Sequence, residues 1–97
     1  MPRNAFVAIP ARTWTQITAG DVSAIRAQIV RGRAVYLQAT VGEVAPTSDD
    51  GAIAVQAGAI LAANLLLAEI WPGVAGATRV YAYADNDGGA TISVSHA

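Results

Sequence analysis

The stretch VSAIRAQIVRGRAVYLQATV, residues 22–41, decides the fold class. It contains two runs in which apolar and polar side chains alternate, residues 22–30 and residues 33–41. Alternation with a period of two turns one side of an extended segment toward a core, so each run predicts a half-buried β-strand. Gly32 separates the runs, and glycine between two alternating runs is typical of a tight turn. The stretch therefore predicts two antiparallel strands joined as a hairpin.

The same pattern recurs toward the C-terminus. Residues 77–84 and residues 91–95 each place apolar side chains at every second position. β-Branched and aromatic residues are enriched in both runs, as strands require. The acidic and glycine-containing segment between them, residues 85–89, predicts the loop of a second hairpin.

The middle of the chain carries two competing patterns. Residues 52–57 alternate weakly, residues 59–64 continue as an apolar run, and residues 65–70 contain strong helix formers before Pro72. This order predicts two short strands followed by a short helical turn. The competing interpretation is one helix over residues 53–70, although its polar residues do not fall on one helical face.

Turn-forming clusters divide the whole chain into pieces of strand length. Together the patterns predict a mainly all-β fold, an antiparallel and jelly-roll-like β-sandwich of about seven short strands, with at most one short helix near residues 65–70. The 97 residues are the size of one domain. Residues 1–97 are therefore predicted to form a single sandwich, with residues 1–13 as an extended N-terminal arm.

The composition limits the classes of partner. Hydrophobic residues make up 54% of the chain and charged residues 13%, which indicates apolar surface hidden against partners or simply an alanine-rich domain. The six arginines are scattered, lysine is absent and the net charge is −1, so neither a nucleic-acid stripe nor a polybasic membrane anchor is predicted.

Cysteine is absent, and the N-terminus lacks a signal peptide's apolar segment. Residues 52–71 are long enough to span a bilayer, but Gln56, Asn64 and Glu69 argue against a span.

The segment DNDG, residues 85–88, resembles the first half of a calcium-binding loop. An EF-hand loop needs oxygen ligands at spaced positions and a glutamate at its end. Counted from Asp85 as position 1, Asp85 and Asp87 fit positions 1 and 3, whereas Gly89 stands at position 5 and His96 at position 12, where oxygen ligands are needed. The segment is therefore predicted to be a turn. No metal and no cofactor is expected, and Asp85 and Asp87 are weak ligand candidates only.

Catalytic patterns are missing from the sequence. His96 is the only histidine, no G-x-S-x-G elbow occurs, and no cysteine can act as a nucleophile. Carboxylate pairs can be drawn only from Glu43, Glu69 and the turn aspartates, and their sequence context sets no two of them apart as an acid–base pair. The chain is therefore predicted not to be an enzyme.

Large aromatic side chains and arginines remain as candidates for contact with partners. Trp14 and Trp71 can fill the core or anchor an interface. Arg79, Tyr81 and Tyr83 fall on one side of a predicted strand, a side that can meet a neighbouring subunit or stack against a sugar. The predicted interface residues are Arg12, Trp14, Trp71, Arg79, Tyr81 and Tyr83.

The segments WTQIT, VSAIRAQIVRGRAVYLQATVG, PTSDDGAI, LAEIWPGVAGATRVYAYA and TISVSHA follow one another over residues 14–97. This series resembles small structural proteins encoded in the virion modules of tailed bacteriophages and gene-transfer particles. The resemblance implies a β-sandwich that assembles in symmetric copies on a capsid or tail. It assigns no functional residue.

These observations predict a non-enzymatic virion structural protein, in particular a capsid decoration or cement subunit that binds the major capsid shell as a homo-oligomer. Its predicted partners are further copies of the chain and the major capsid protein or other virion proteins, with no nucleic acid and no membrane. Its predicted location is the virion, assembled in the cytoplasm of a bacterial host. The alternative predictions are a head-fibre or tail-associated β-sandwich and a carbohydrate-binding surface module.

Overall fold

The computed structural model describes residues 2–48, 50–56 and 60–96, and for residues 60–65 it describes the backbone alone. The described chain forms eight β-strands and one four-residue helix. The strands are β1 (Arg3–Ile9), β2 (Thr15–Gln16), β3 (Ala24–Arg31), β4 (Val35–Thr40), β5 (Ile53–Val55), β6 (Ile60–Leu66), β7 (Arg79–Ala84) and β8 (Ala90–His96), and the helix is α1 (Leu67–Ile70). The prediction of a mainly all-β fold is confirmed.

The strands form two four-stranded antiparallel sheets. The first sheet has the order β1-β8-β3-β6, and the second has the order β2-β7-β4-β5. Four of the strand pairs are nested in the sequence, each inside the one before: β1–β8, β2–β7, β3–β6 and β4–β5. A single long hairpin that is rolled into two layers has these pairs. This is the strand order of a jelly roll. The structure thus has eight strands where the sequence predicts about seven.

Inward side chains from both sheets form one hydrophobic core. In β4, Val35, Leu37 and Ala39 are buried, whereas Tyr36 and Gln38 are half-buried on the outer side. The same alternation of buried and half-buried residues runs along β8. The period of two in the sequence therefore identifies the buried faces of these strands correctly.

Both hairpins predicted from the sequence are wrong. β3 and β4 belong to different sheets, and so do β7 and β8. Residues 32–34 and residues 85–89 therefore cross from one sheet to the other. The alternating pattern specifies which face of a strand is buried, but both sheets bury one face in the same core, so the pattern does not identify the neighbouring strand.

The middle of the chain forms strands and not one long helix. β5 lies within the predicted residues 52–57, and β6 begins within the predicted residues 59–64. The alternative of one helix over residues 53–70 is wrong, because β5 pairs with β4 and β6 pairs with β3. Ala57 and Ala59, which the strand predictions included, lie outside the described residues. In the described part of the chain, no helix has the length and apolar character needed to cross a membrane.

Within residues 1–13, which were predicted as an extended N-terminal arm, the segment Arg3–Ile9 is a strand paired with β8. β1 pairs with β8 along its whole length, and Ile9 is buried in the core. The Nη1 group of Arg3 donates a hydrogen bond to the carbonyl oxygen of Ile17 at 3.1 Å. Among the described strands only β8 lies beside β1, so β1 forms one edge of the first sheet.

Candidate functional site

Arg79 and Tyr81, two of the predicted interface residues, are held by contacts within the chain. The hydroxyl of Tyr81 donates to Oε1 of Gln16 at 3.1 Å, and Nη1 of Arg79 donates to the same oxygen at 3.3 Å. The Nε group of Arg79 donates to Oδ1 of Asp21 at 2.8 Å, and its Nη1 lies 3.6 Å from Oε1 of Glu43. Tyr81 is only 6% exposed. It is therefore not the exposed contact that the sequence predicts, because Gln16 of the neighbouring strand β2 lies against it.

The hydrogen bond from Arg79 holds the pKa of the Asp21 carboxyl below its ordinary value. The same bond raises the pKa of the Arg79 guanidinium. A carboxyl whose pKa is lower in the folded chain stabilises the fold above its unfolded pKa, and this contribution disappears as the pH falls through the folded pKa. The contact between β7 and the segment before β3 therefore weakens in acid, below about pH 4.

Asp21→Asn is expected to remove this part of the acid sensitivity. At about pH 7 the variant should unfold at a slightly lower temperature than the unchanged protein, and the two should converge below about pH 3. Thermal unfolding followed by circular dichroism across this range measures the difference. Asp50→Asn is the control, because the Asp50 side chain forms no ion pair with any described residue. A gap between Asp21→Asn and the unchanged protein that stays constant with pH would contradict the expectation.

Trp71 belongs to the core. Its side chain is 3% exposed and packs among the buried apolar residues. Its backbone N–H donates to the carbonyl oxygen of Leu67 at 2.8 Å, which closes the single turn of α1. The sequence allowed Trp71 either to fill the core or to anchor an interface, and the structure shows the first. Trp71 is therefore not available to a partner at the surface of a single chain.

Trp14, Tyr36 and Tyr83 line a groove on the outer face of the second sheet, which we call the aromatic groove. The ring centroids of Trp14 and Tyr83 lie 5.1 Å apart, and the ring planes are inclined by 42°. Tyr36 of β4 stands directly opposite Tyr83 of β7 in the strand register. The groove has a volume of about 350 Å³. Its remaining lining consists of Thr47, Ser48 and Asp85.

A larger cleft lies between the two segments that cross from one sheet to the other, and we call it the arginine cleft. Its volume is about 810 Å³, and its charged lining residues are Arg12, Arg31, Arg33, Asp85 and Asp87. The Nη1 group of Arg12 donates to Oδ1 of Asp87 at 2.8 Å, and Nε of Arg12 lies 3.5 Å from Oδ1 of Asp85. Asp85 lines both the arginine cleft and the aromatic groove, so the two adjoin at this residue.

Asp85 and Asp87, the two weak metal candidates, both face Arg12. The Arg12 guanidinium lies against Oδ1 of both carboxylates, and its positive charge disfavours a cation beside them. Among the described residues, no group of three or more His, Cys, Asp and Glu side chains is placed to hold a metal ion. The arrangement is an exposed ion-pair cluster, which contributes little to stability by itself.

The floor of the arginine cleft is backbone packed against backbone. A Cβ at Gly32 would lie 2.8 Å from the carbonyl oxygen of Gly89, and a Cβ at Gly89 would overlap the carbonyl oxygen of Ile9. The φ angles of Gly32 and Gly89 are +99° and +66°, which glycine adopts readily. Arg12 also has a positive φ, +53°, and its N–H donates to the carbonyl oxygen of Ala84 at 2.8 Å. Packing therefore fixes the shape of the cleft.

His96 has a structural contact at the end of β8. The side chain is 6% exposed, and its Nε2 accepts a hydrogen bond from the backbone N–H of Ala19 at 3.0 Å. This bond ties the segment after β2 to the last strand of the first sheet.

Phe6 stands at the centre of β1 and is 72% exposed. Its cross-strand neighbour is Ser93 of β8, whose side chain is too small to cover the ring. The side of β1 that faces away from β8 we call the β1 edge. Phe6 was not among the predicted interface residues, because residues 1–13 were predicted to form an extended arm. Val7 and Ile9 lie two residues apart and face the core, so Phe6 faces outward. This period of two was the signal in the sequence for a strand with an exposed phenylalanine.

The candidate surfaces occupy separate parts of the molecule. The β1 edge belongs to the first sheet, whereas the aromatic groove and the arginine cleft lie on the second sheet and at the crossings. Arg12, Trp14 and Tyr83 are the predicted interface residues that line the groove or the cleft, while Tyr36, Arg31 and Arg33 were not predicted. No family model, no curated protein and no solved structure matches this chain.

Proposed function

We propose that the chain is a non-enzymatic structural protein of a virion, a decoration or cement subunit that binds the major capsid shell as a homo-oligomer. The feature that carries the proposal is the β1 edge with Phe6 at its centre. The jelly-roll strand order supports it by analogy of fold, because viral capsid proteins use this architecture, as lectins also do.

The β1 edge lacks the features by which sheet edges usually avoid pairing. Protected edges are very short, or carry charged side chains, prolines or bulges. β1 has seven residues, and its one charged side chain, Arg3, is engaged with the carbonyl oxygen of Ile17. Its register with β8 advances one residue at a time from Arg3 to Ile9. The edge therefore suits the addition of a further strand.

A second copy of the chain is the partner that fits this edge. A two-fold axis beside Phe6 sets β1 antiparallel to β1 of the second copy, with Phe6 opposite Phe6 and Arg3 opposite Ile9. Because Phe6 is the central residue of β1, this register pairs the strand along its whole length. The two first sheets then form one continuous sheet, and the two phenylalanine rings cover each other.

Such a contact is weak in isolation and strong in an array. A single strand pair buries less area than the roughly 1,200 Å² of a stable, specific interface. On a shell, however, neighbouring copies are already held close to one another, so each further contact forms at a high effective concentration. We therefore expect reversible association in solution and stable association on a particle.

Phe6→Glu is expected to weaken self-association strongly, because the pairing would set two carboxylates opposite each other at the two-fold axis. Analytical ultracentrifugation between about 10 µM and 1 mM should show the unchanged protein passing from monomer to dimer. The dissociation constant of the variant should be at least about ten-fold higher. Val44→Glu is the control, because it adds the same charge at an apolar side chain that is 64% exposed in the segment after β4.

The same proteins test the shell role when they are mixed with DNA-free shells of the major capsid protein from the same genome. Sedimentation followed by quantitative mass spectrometry gives the number of copies per shell. The unchanged protein should bind in a fixed ratio to the capsid subunits, and Phe6→Glu should bind in lower amount. A few copies per particle would favour the head-fibre or tail-associated alternative, and no binding would contradict the proposal. A protein that stays monomeric at all concentrations would contradict the β1 edge as its self-association surface.

A further inference from the structure

We propose that the aromatic groove and the arginine cleft together bind an acidic saccharide. One sugar ring lies over the aromatic groove, and a carboxylate of the same or the next sugar lies on Arg31 and Arg33. This site is independent of the capsid role proposed above, because Phe6 lines neither the groove nor the cleft.

The aromatic groove has the features of a platform for a sugar ring. A pyranose ring presents C–H groups on its faces, and these pack against the π-face of Trp or Tyr while the hydroxyl groups remain at the rim. The rings of Trp14 and Tyr83 are inclined by 42°, and both residues line the same groove. Tyr36 extends this floor, and all three side chains remain only half-buried. The groove therefore combines exposed aromatic area with the hydroxyl groups of Thr47 and Ser48.

The arginine cleft supplies two guanidinium groups for a ligand carboxylate. Arg31 and Arg33 are exposed, and neither forms an ion pair or a side-chain hydrogen bond with any residue that the structure describes. A guanidinium binds a carboxylate through two parallel hydrogen bonds. Arg12, by contrast, is already engaged by Asp85 and Asp87. Arg31 and Arg33 are therefore the groups that remain for an anion.

The charge of the cleft selects the class of anion. Three guanidinium groups and two carboxylates give its lining one net positive charge. A phosphate monoester or a phosphodiester chain would bring further negative charge against Asp85 and Asp87, whereas hydroxyl groups donate hydrogen bonds to such carboxylates. A sugar with one carboxylate satisfies both halves of the lining, because its carboxylate faces Arg31 and Arg33 and its hydroxyls face the aspartates.

The geometry of the site is set before a ligand arrives. Gly32 and Gly89 pack against each other and leave no room for a Cβ at the floor. Arg12 is the non-glycine residue with positive φ in the described chain, and it is held there by its backbone bond to Ala84 and by Asp87. A conformation of this kind beside a large cleft is typical of sites whose surroundings fix the geometry in advance. Such preorganisation favours affinity, because binding then orders few additional groups.

Isothermal titration calorimetry with an aldobiouronic acid, a disaccharide of one neutral sugar and one uronic acid, tests the ligand class. Its methyl ester is the matched ligand, since it keeps both sugar rings and removes the single charge. The acid should bind with a submillimolar dissociation constant, and the ester at least about ten-fold more weakly. Sialyllactose and lactose form a second pair, which distinguishes a sialic acid from a uronic acid by the same criterion. Oligothymidylate tests whether the cleft instead takes a phosphate chain with stacked bases.

The Arg31→Gln/Arg33→Gln double variant should lose at least about ten-fold in affinity for the acid that binds and keep its affinity for the uncharged form. Trp14→Ala should weaken the binding of both forms. Arg26→Gln is the control, because Arg26 is an exposed arginine on the outer face of β3 in the first sheet, and it should change neither. Thermal unfolding of each variant by circular dichroism checks that the fold is retained. Phe6→Glu should leave sugar binding unchanged, which separates this site from the capsid role.

Four results would overturn the proposal. These are no binding of either acid at millimolar concentration, equal binding of an acid and its uncharged form, tighter binding of oligothymidylate than of either acid, and unchanged acid binding by a folded double variant.

Discussion

Removal of residues 93–97 is expected to leave a chain that does not fold. β8 lies between β1 and β3, so the truncation removes backbone hydrogen bonds on both sides of the strand and the buried side chains of Val94 and His96. Each lost ladder bond contributes about 1 kcal/mol, and burial of a valine side chain about 2 kcal/mol. Their sum approaches the roughly 5–15 kcal/mol by which a domain is stable. Nuclear magnetic resonance should show collapsed amide dispersion, and calorimetry should show no cooperative transition.

The control for this truncation keeps the chain length and changes only outward side chains of β8. Ser93 and Ser95 are half-buried on the outer face, and threonine is at least as favourable as serine in a strand. The Ser93→Thr/Ser95→Thr variant should therefore unfold at nearly the same temperature as the unchanged protein. A truncated chain that still unfolds cooperatively would show that β8 is not needed at the centre of its sheet.

Gly89→Ala is expected to lower the free energy of unfolding by about 3 kcal/mol or more. Two causes act together. The φ angle of +66° is unfavourable for a residue with a side chain, and the new Cβ would overlap the carbonyl oxygen of Ile9. That oxygen is backbone at the end of β1, so it can move only if the strand moves. For a domain of this size the midpoint of thermal unfolding should fall by more than about 10 °C, which calorimetry measures.

Gly42→Ala separates these two causes. Gly42 has a similar φ of +72°, but nothing lies within 4 Å of a Cβ placed there. The substitution should therefore show the backbone effect alone, about 1 kcal/mol. An equal loss of unfolding free energy in the Gly42 and Gly89 variants would contradict the close packing of residues 85–89 against the end of β1.

The sequence predicts the buried faces of the strands but not their partners. Ile29 and Leu37 are both buried as the alternation predicts, yet they belong to opposite sheets. A strand that packs its apolar side on a common core has the same pattern in either layer. The turn signal at Gly32 is also correct, but a short connection can join two neighbours or step from one layer to the other. β2 has two residues, which is too short to show any period.

The candidate site was harder to predict because its parts are distant in the sequence. Arg31 and Arg33 flank one crossing, and Asp85 and Asp87 lie in the other. Residues 32–34 and residues 85–89 were each predicted to be the turn of a separate hairpin. That prediction gives no reason for these four side chains to lie close together. Tyr81 shows a different limit. Its outward position follows from the alternation, but its burial depends on Gln16, which reaches it through the pairing of β2 with β7.

Every hydrogen-bonded strand pair in the two sheets joins the first half of the chain to the second. The first sheet alternates β1 and β3 with β8 and β6, and the second alternates β2 and β4 with β7 and β5. Among the described strands, none has a sheet neighbour from its own half. A fragment that ends before residue 50 therefore carries four strands that cannot pair natively with one another. We therefore expect all-or-none folding, because two halves cut after β4 must meet before either can form a native ladder between described strands.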